Sequence, residues 1–182
     1  MPPKIKINEK MIIDAAFDIV KNDGIEKMNA RTISERLNCS TQPIFYHFSS
    51  IEEIKKSVYE KADKYHSEYI MPKGTENEFP LMELGLNYIR FGYEEKKLFQ
   101  FLFQTNQLNG YSLDELIDSE ELSEILQMVS MGTGCDEASA KEMFMNLFIV
   151  AHGCASLLAN NAIEYEKQKF EKILENVFNN FM

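Results

Sequence analysis

Ser40, Thr41, Gln42, Pro43, Tyr46 and His47 crowd into the run NCSTQPIFYHF (38–48), which holds no carboxylate. Together they offer short hydroxyls, an amide, a small apolar ring, a phenol and an imidazole. A glutamine can make two hydrogen bonds to adenine, threonine and proline give apolar contact to thymine methyls, and tyrosine or histidine can bond a phosphate. The residue types suit the surface of duplex DNA, where a carboxylate would be repelled. Arg31, upstream, could reach guanine or a phosphate, and Lys4, Lys6, Lys10 and Lys55 or Lys56 could add phosphate contacts. A second reading stands beside this one. Aromatic residues at helical spacing fill cores, and Ile44, Phe45 and Phe48 share a face that is expected to pack inward. Tyr46 and His47 then point elsewhere, either as a solvated pair or as contacts.

Three short helices are expected to hold this run. Asn8 is a good N-cap, Ile7 and Ile12 occupy the positions of a hydrophobic staple, and the spacing predicts a helix over 8–23. Gly24 is expected to end it with a left-handed stop, Ile25 folding back on Val20. Asn29 caps a second helix running through Ile33 and Leu37, with Met28 and Ile33 as its staple, and Ser40 is expected to cap a third. Only Asn38-Cys39 separates them, and Asn38 tolerates the left-handed backbone that so tight a turn requires. This is a helix-turn-helix braced by an upstream helix. Within the third helix Pro43 falls in the first turn, where its missing N–H costs nothing. Ser50-Ile-Glu-Glu53 then reads as a capping box opening a helix of about 51–70, ended by Met71-Pro72-Lys73-Gly74.

Charge divides the chain at the same place. The net charge is −10, but residues 1–65 carry eleven Lys/Arg against ten Asp/Glu, while 66–182 carry eight against nineteen. The basic residues sit with the helix-turn-helix, and an acidic second part discourages nonspecific adhesion to DNA.

Residues 8–54 resemble the DNA-binding domain of the tetracycline-repressor (TetR) family of bacterial transcriptional regulators. The resemblance rests on the AAFDIVKNDGIEKMNARTIS run and on STQPIFYHF with its Tyr-x-Phe ending. It implies that Arg31, Thr32, Ser40, Thr41, Gln42, Pro43, Tyr46 and His47 contact operator DNA. Two departures stand out. Leu37-Asn38 replaces the common Ala-Gly of the turn, and Ser50-Ile51 stands where a lysine usually follows, a loss for which Lys55 or Lys56 could compensate.

After a polar loop at 73–78, every remaining segment reads as helical. Leu81, Leu84, Tyr88 and Phe91 are in register, LFQFLFQT follows almost unbroken, and Ser112 and Glu115 form a capping box before an acidic segment to about 130. Residues 131–135 are expected to be a loop, Asp136 to start a helix of 137–161, and 164–181 to form an amphipathic last one. No alternating strand pattern occurs, so the fold class is all-α. The expected division is a helix-turn-helix domain at 1–50, a linking helix at 51–72 and a regulatory and dimerisation domain at 73–182.

The family's second domains combine a homodimer interface with a ligand pocket, and Phe148–Gly153 followed by CASLLANNA resembles a subgroup with His-Gly in the penultimate helix. This implies a homodimer through 137–161 and 164–181, where Gly153, Ala155, Ser156 and Ala159 would permit close approach. Tyr88, Phe91, Phe99, Phe103, Met128, Phe144, Phe148 and His152 are candidates to line a pocket for a small effector, since aromatics and methionine line adaptable apolar sites. Core packing is the competing and commoner use of the same residues.

Other classes find little support. His47, His66 and His152 are far apart and lie in no metal or nucleophile motif, so neither catalysis nor a metal or other cofactor is expected. Cys39, Cys135 and Cys154 form no CxxC pair, which points to a reducing cytoplasm. They leave a cysteine-based redox-responsive regulator as one alternative, with a helical protein-interaction module as another. No uninterrupted apolar run approaches the roughly 18 residues of a membrane span, so no membrane partner is expected.

Overall fold

The computed structural model describes residues 7–72, 80–105 and 120–180, and every regular element among them is a helix. Lys4, Lys6, the 73–78 loop, the Ser112–Glu115 box and Phe181 lie outside the described residues, as does the side chain of Met128.

The N-terminal helices begin where local chemistry says they must. In α1 (Glu9–Asp23) Asn8 Oδ1 accepts from the Met11 N–H at 2.9 Å. Its inner face buries Ile12, Ala16, Ile19 and Val20. Gly24 ends it with φ +94°, a backbone that favours glycine, but ψ of 162° sends the chain out extended instead of into the expected left-handed bend. A single 3-10 turn, Ile25–Lys27, follows, closed by Met28 N–H donating to Ile25 O at 3.0 Å. α2 (Ala30–Arg36) starts from a reciprocal box in which Asn29 Oδ1 accepts from Thr32 N–H and Thr32 Oγ1 accepts from Asn29 N–H, both at 3.1 Å. Asn38 takes φ +51°, as the short turn required.

The third helix departs from expectation. α3 (Gln42–His47) is capped at Thr41 without any side-chain bond, so Ser40 is not its cap. Pro43 sits at the second helical position, still within the first turn. So short a helix has no broad apolar stripe. Ile44 is buried, and Phe48 is buried at the C-cap, but Phe45, a hundred degrees round from Ile44, is 52% exposed instead of packed inward.

α4 (Ile51–Ile70) runs from this head into the body. Ser50 Oγ accepts from Glu53 N–H at 3.2 Å, while Glu53 Oε2 takes the Ser49 N–H at 2.7 Å instead of closing the expected reciprocal box. The body consists of α5 (Pro80–Glu94), α6 (Lys96–Phe103), α7 (Glu120–Thr133), α8 (Glu137–Ala159) and α9 (Lys167–Asn179). A break at Glu95 separates α5 from α6. α7 continues through Met131 to Thr133, where a loop was expected, and only Gly134 (φ +71°) and Cys135 leave the helix.

α5 and α8 form the densest packing. A Cβ on Gly92 would stand 2.7 Å from the Ala155 Cβ and carbonyl oxygen, so glycine lets the two backbones approach. Ala155 and Ala159 therefore serve the chain's own interior, not an outer face as the sequence suggested; Gly153 alone of that set looks onto open space. α8 is also the one described helix long and apolar enough to cross a bilayer by length and composition, with a window of mean hydropathy 1.4 in its 23 residues, a test that a core helix packed as α8 is on α5 passes equally. Scattered polar residues such as Asn146, His152 and Ser156 hid this, because they interrupt apolar runs without lowering the average much.

Candidate functional site

The head presents the chemistry that its sequence offered. Ser40, Thr41 and Gln42 are exposed, Tyr46 is 83% exposed, and Pro43 is half-buried beneath them. Ile44 anchors this edge from the other side of the helix. Tyr46 meets His47 edge-on with ring centroids 5.1 Å apart. The bound-in residues matter as much as the free ones. His47 is mostly covered: its Nε2 lies 3.1 Å from the Ile7 carbonyl oxygen and its Nδ1 3.6 Å from Glu9 Oε1, so it ties the start of α1 to the end of α3. Thr32 spends its hydroxyl on the α2 cap and on the Lys27 carbonyl at 2.8 Å. Arg31 is fully presented, yet its Nε donates to Glu35 Oε1 at 2.9 Å, one helical turn along. That carboxylate went unweighed in the sequence, although an i, i+4 Arg–Glu pair is readable there. Lys55 pairs with Glu52 at 3.8 Å, while Lys56 is exposed.

Ion pairs brace the head and fasten it to the body. Within the head, exposed Arg36 reaches Asp18 at 4.0 Å and Asp23 at 3.7 Å, holding α2 on α1, and Lys61 of α4 is ion-paired with Asp14 of α1. One knot joins three elements. Lys21 Nζ of α1 donates to Glu95 Oε1 at 2.6 Å and to the Tyr65 hydroxyl of α4 at 2.8 Å, and that hydroxyl donates to the same carboxylate oxygen at 2.8 Å. Glu95 sits at the α5–α6 break, so a shift of that elbow acts directly on α1.

At the next residue of α4 the body holds an aromatic cage. The His66 ring meets those of Phe91, Phe103 and Tyr88 at 4.8, 5.0 and 5.3 Å, in edge-to-face arrangements. Across it, the Tyr88 hydroxyl and His152 Nδ1 are 2.9 Å apart, and His152 lies 5.5 Å from Phe99 and 5.7 Å from Phe148. A narrow apolar cleft between α5 and α8 opens onto Tyr88, Phe144 and Phe148. Seven of the eight candidate pocket residues thus gather in or beside one cluster, Met128 being the one outside the described side chains. They are core packing as well: Phe91 and Phe99 are fully buried.

Sequence reasoning weighed His66 only as a metal or nucleophile candidate and did not place it among the pocket residues. Burial pushes its pKa down to about 4, and burial also lowers that of His152 and raises the Tyr88 phenol. All three are therefore neutral near pH 7. No group of three or more His, Cys, Asp or Glu among the described residues is arranged to hold a metal. The three cysteines are free and half-buried, Cys135 included, with Thr133 Oγ1 3.0 Å from its sulfur. Burial raises the Cys154 thiol, which disfavours the reactive thiolate.

The helix-turn-helix head and the helices described in the body match the fold of solved TetR-family transcriptional regulators. Among solved structures, the chain superposes on a TetR variant from Acinetobacter baumannii in complex with minocycline with a TM-score of 0.64, at 15% identity and 97% coverage of each chain. A transcriptional regulator from Rhodococcus gives 0.67 at 17% identity, covering 94% of both chains. In sequence, an uncharacterized HTH-type transcriptional regulator of Bacillus subtilis, YobS, is 19% identical over 176 residues, 95% of this chain and 90% of the relative. No family model matches the chain.

Proposed function

We propose that this chain is a ligand-responsive transcriptional regulator, acting as a cytoplasmic repressor that binds a near-palindromic operator as a homodimer. The observation that carries the proposal is the division of α3. Ile44 is buried beneath it, while the side chains of Thr41 and Gln42 stand in solvent and Tyr46, 83% exposed, meets the His47 ring with one edge only. One such short helix spans too few base pairs for specificity, whereas two held about 34–36 Å apart read successive major grooves.

The outer surface of α8 supports pairing. Ile149 and Leu157 are large, apolar and exposed there, Gly153 between them is open to close approach, and Ile173 and Ile163 lie exposed on and before α9. Burying such a surface against a second copy removes it from water. A small molecule in the aromatic cage would favour a body geometry in which the heads are wrongly spaced. The Lys21–Tyr65–Glu95 knot offers the route, since Tyr65 adjoins His66 on α4. A differential affinity of about 1–3 kcal/mol suffices to lower occupancy roughly five- to 150-fold.

Selection of bound duplexes from a random DNA pool tests this reading. The expected product is a palindrome with half-sites one helical turn apart or a multiple of it. Failure to enrich any sequence would leave the head without a regulatory role.

A further inference from the structure

We propose that His66 is the polar anchor of the effector site, and that the effector is a small, uncharged, planar aromatic molecule bearing one hydroxyl. The proposal rests on the regulatory reading above and names the class of molecule that the body would accept.

Three polar side chains are buried among the described residues: Ser34, His66 and Asn87. Two are satisfied. Ser34 Oγ donates to Arg31 O at 2.8 Å, and Asn87 Nδ2 donates to Ile70 O at 3.1 Å. His66, only 7% exposed, has no partner for its Nε2. Native interiors rarely leave such an atom unpaired, because its lost hydration is not replaced. An isosteric apolar ring at this position would pack the cage without that penalty, so the imidazole needs a reason for its presence.

The surroundings specify what would complete it. Phe91, Phe103 and Tyr88 wall the ring on its contacting sides, and their edge-to-face geometry suits a further flat ring. Tyr88 and Phe148 also line the cleft between α5 and α8, so Tyr88 is the shared wall between that cleft, which His66 itself does not line, and the cage. None of these walls is charged. A carboxylate or an ammonium entering here would surrender its water without gaining a counter-charge. A neutral imidazole holds one N–H and one bare nitrogen, so Nε2 gives one hydrogen bond in one tautomer and takes one in the other. A single hydroxyl meets that need, and the rest of the molecule is best apolar. Parting the Tyr88 and Phe148 rings, 5.7 Å apart, would admit it.

Calorimetric titration of the full-length protein with 2-naphthol, naphthalene, 2-naphthoate and 2-naphthyltrimethylammonium tests the assignment. The wild type should bind 2-naphthol at least tenfold more tightly than the other three. His66→Phe should bind 2-naphthol and naphthalene alike, and His66→Gln, whose amide keeps a hydrogen-bonding group, should recover part of the preference. If His66→Phe does not fold, the glutamine variant and the four-ligand ranking on the wild type still decide. Equal binding of 2-naphthol and naphthalene, a charged ligand ranked first, or no binding at all overturns the proposal. Operator binding is scored separately in the duplex selection. A protein that enriches a palindrome yet shows no hydroxyl preference loses the effector class and keeps its regulatory role. The converse result keeps the site and removes the regulator.

Discussion

The two ends of α4 use the same residue types for opposite purposes. In the head, Tyr46 stands in water on a six-residue helix beside the exposed Thr41 and Gln42, and only its neighbour His47 is engaged, with Ile7 and Glu9 at the start of α1. In the body, Tyr88 and His66 are sealed among phenylalanines, where every polar atom needs a partner. The head's chemistry is therefore separable from its stability, and the body's is not. An exposed aromatic can be selected for what it touches in another molecule. A buried one is first a part of the core, and any binding role must coexist with packing. Substitutions can break or sharpen this contrast.

The largest effect is expected in the body. Phe91 is fully buried against His66, Tyr65 and Tyr69, so Phe91→Ala should cost about 3–5 kcal/mol of folding free energy by chemical denaturation. A loss below about 1 kcal/mol would mean that the cage is loosely packed.

Acid should expose His66 next. Its folded-state pKa is depressed to about 4, so as pH falls through the ordinary histidine value the unfolded chain takes the proton first. Stability should be lost between about pH 6.5 and 4 by up to about 3 kcal/mol, with no further loss from this group below that. His66→Phe should remove most of that slope, which denaturation midpoints across the range would record.

The knot between the two ends should be weaker but informative. Tyr65→Phe removes the hydroxyl shared by Lys21 and Glu95 and should cost about 1 kcal/mol of stability. Its larger consequence should be that any effector that releases the wild type from DNA acts less well on the variant. The smallest effect is expected at Arg31. Its exposed pair with Glu35 is worth about 0.3–0.5 kcal/mol, so Glu35→Gln should tighten operator binding about twofold by freeing the guanidinium.

The head was largely legible in the sequence because its signals are local. Asn8, Asn29 and Ser50 cap helices a few residues away, and Asn38 announces its own left-handed backbone. Even there, tertiary partners changed the roles. His47, whose residue type suits a phosphate contact, is engaged with the Ile7 carbonyl forty residues back, and Phe45 faces outward because Ile44, a hundred degrees round the short helix, takes the buried side. In the body the list of aromatics was readable, but not their arrangement. His66 sits in the polar-looking run KYHSEY, and its partners come from α5 and α6, at positions 88, 91 and 103. In sequence Ala155 and Ala159 read as an outer small-residue surface, whereas in the fold Gly92 of α5 lies against Ala155.

The most direct measurement is the affinity of Gln42→Ala and Tyr46→Ala for the selected duplex, taken alongside their unfolding free energies. Both side chains are exposed, so stability should stay within about 0.5 kcal/mol of the wild type. Affinity should fall by about 1–3 kcal/mol for Gln42→Ala, with relaxed preference at one adenine position in each half-site. Unchanged affinity in both variants would contradict the assignment of α3 as the reading helix.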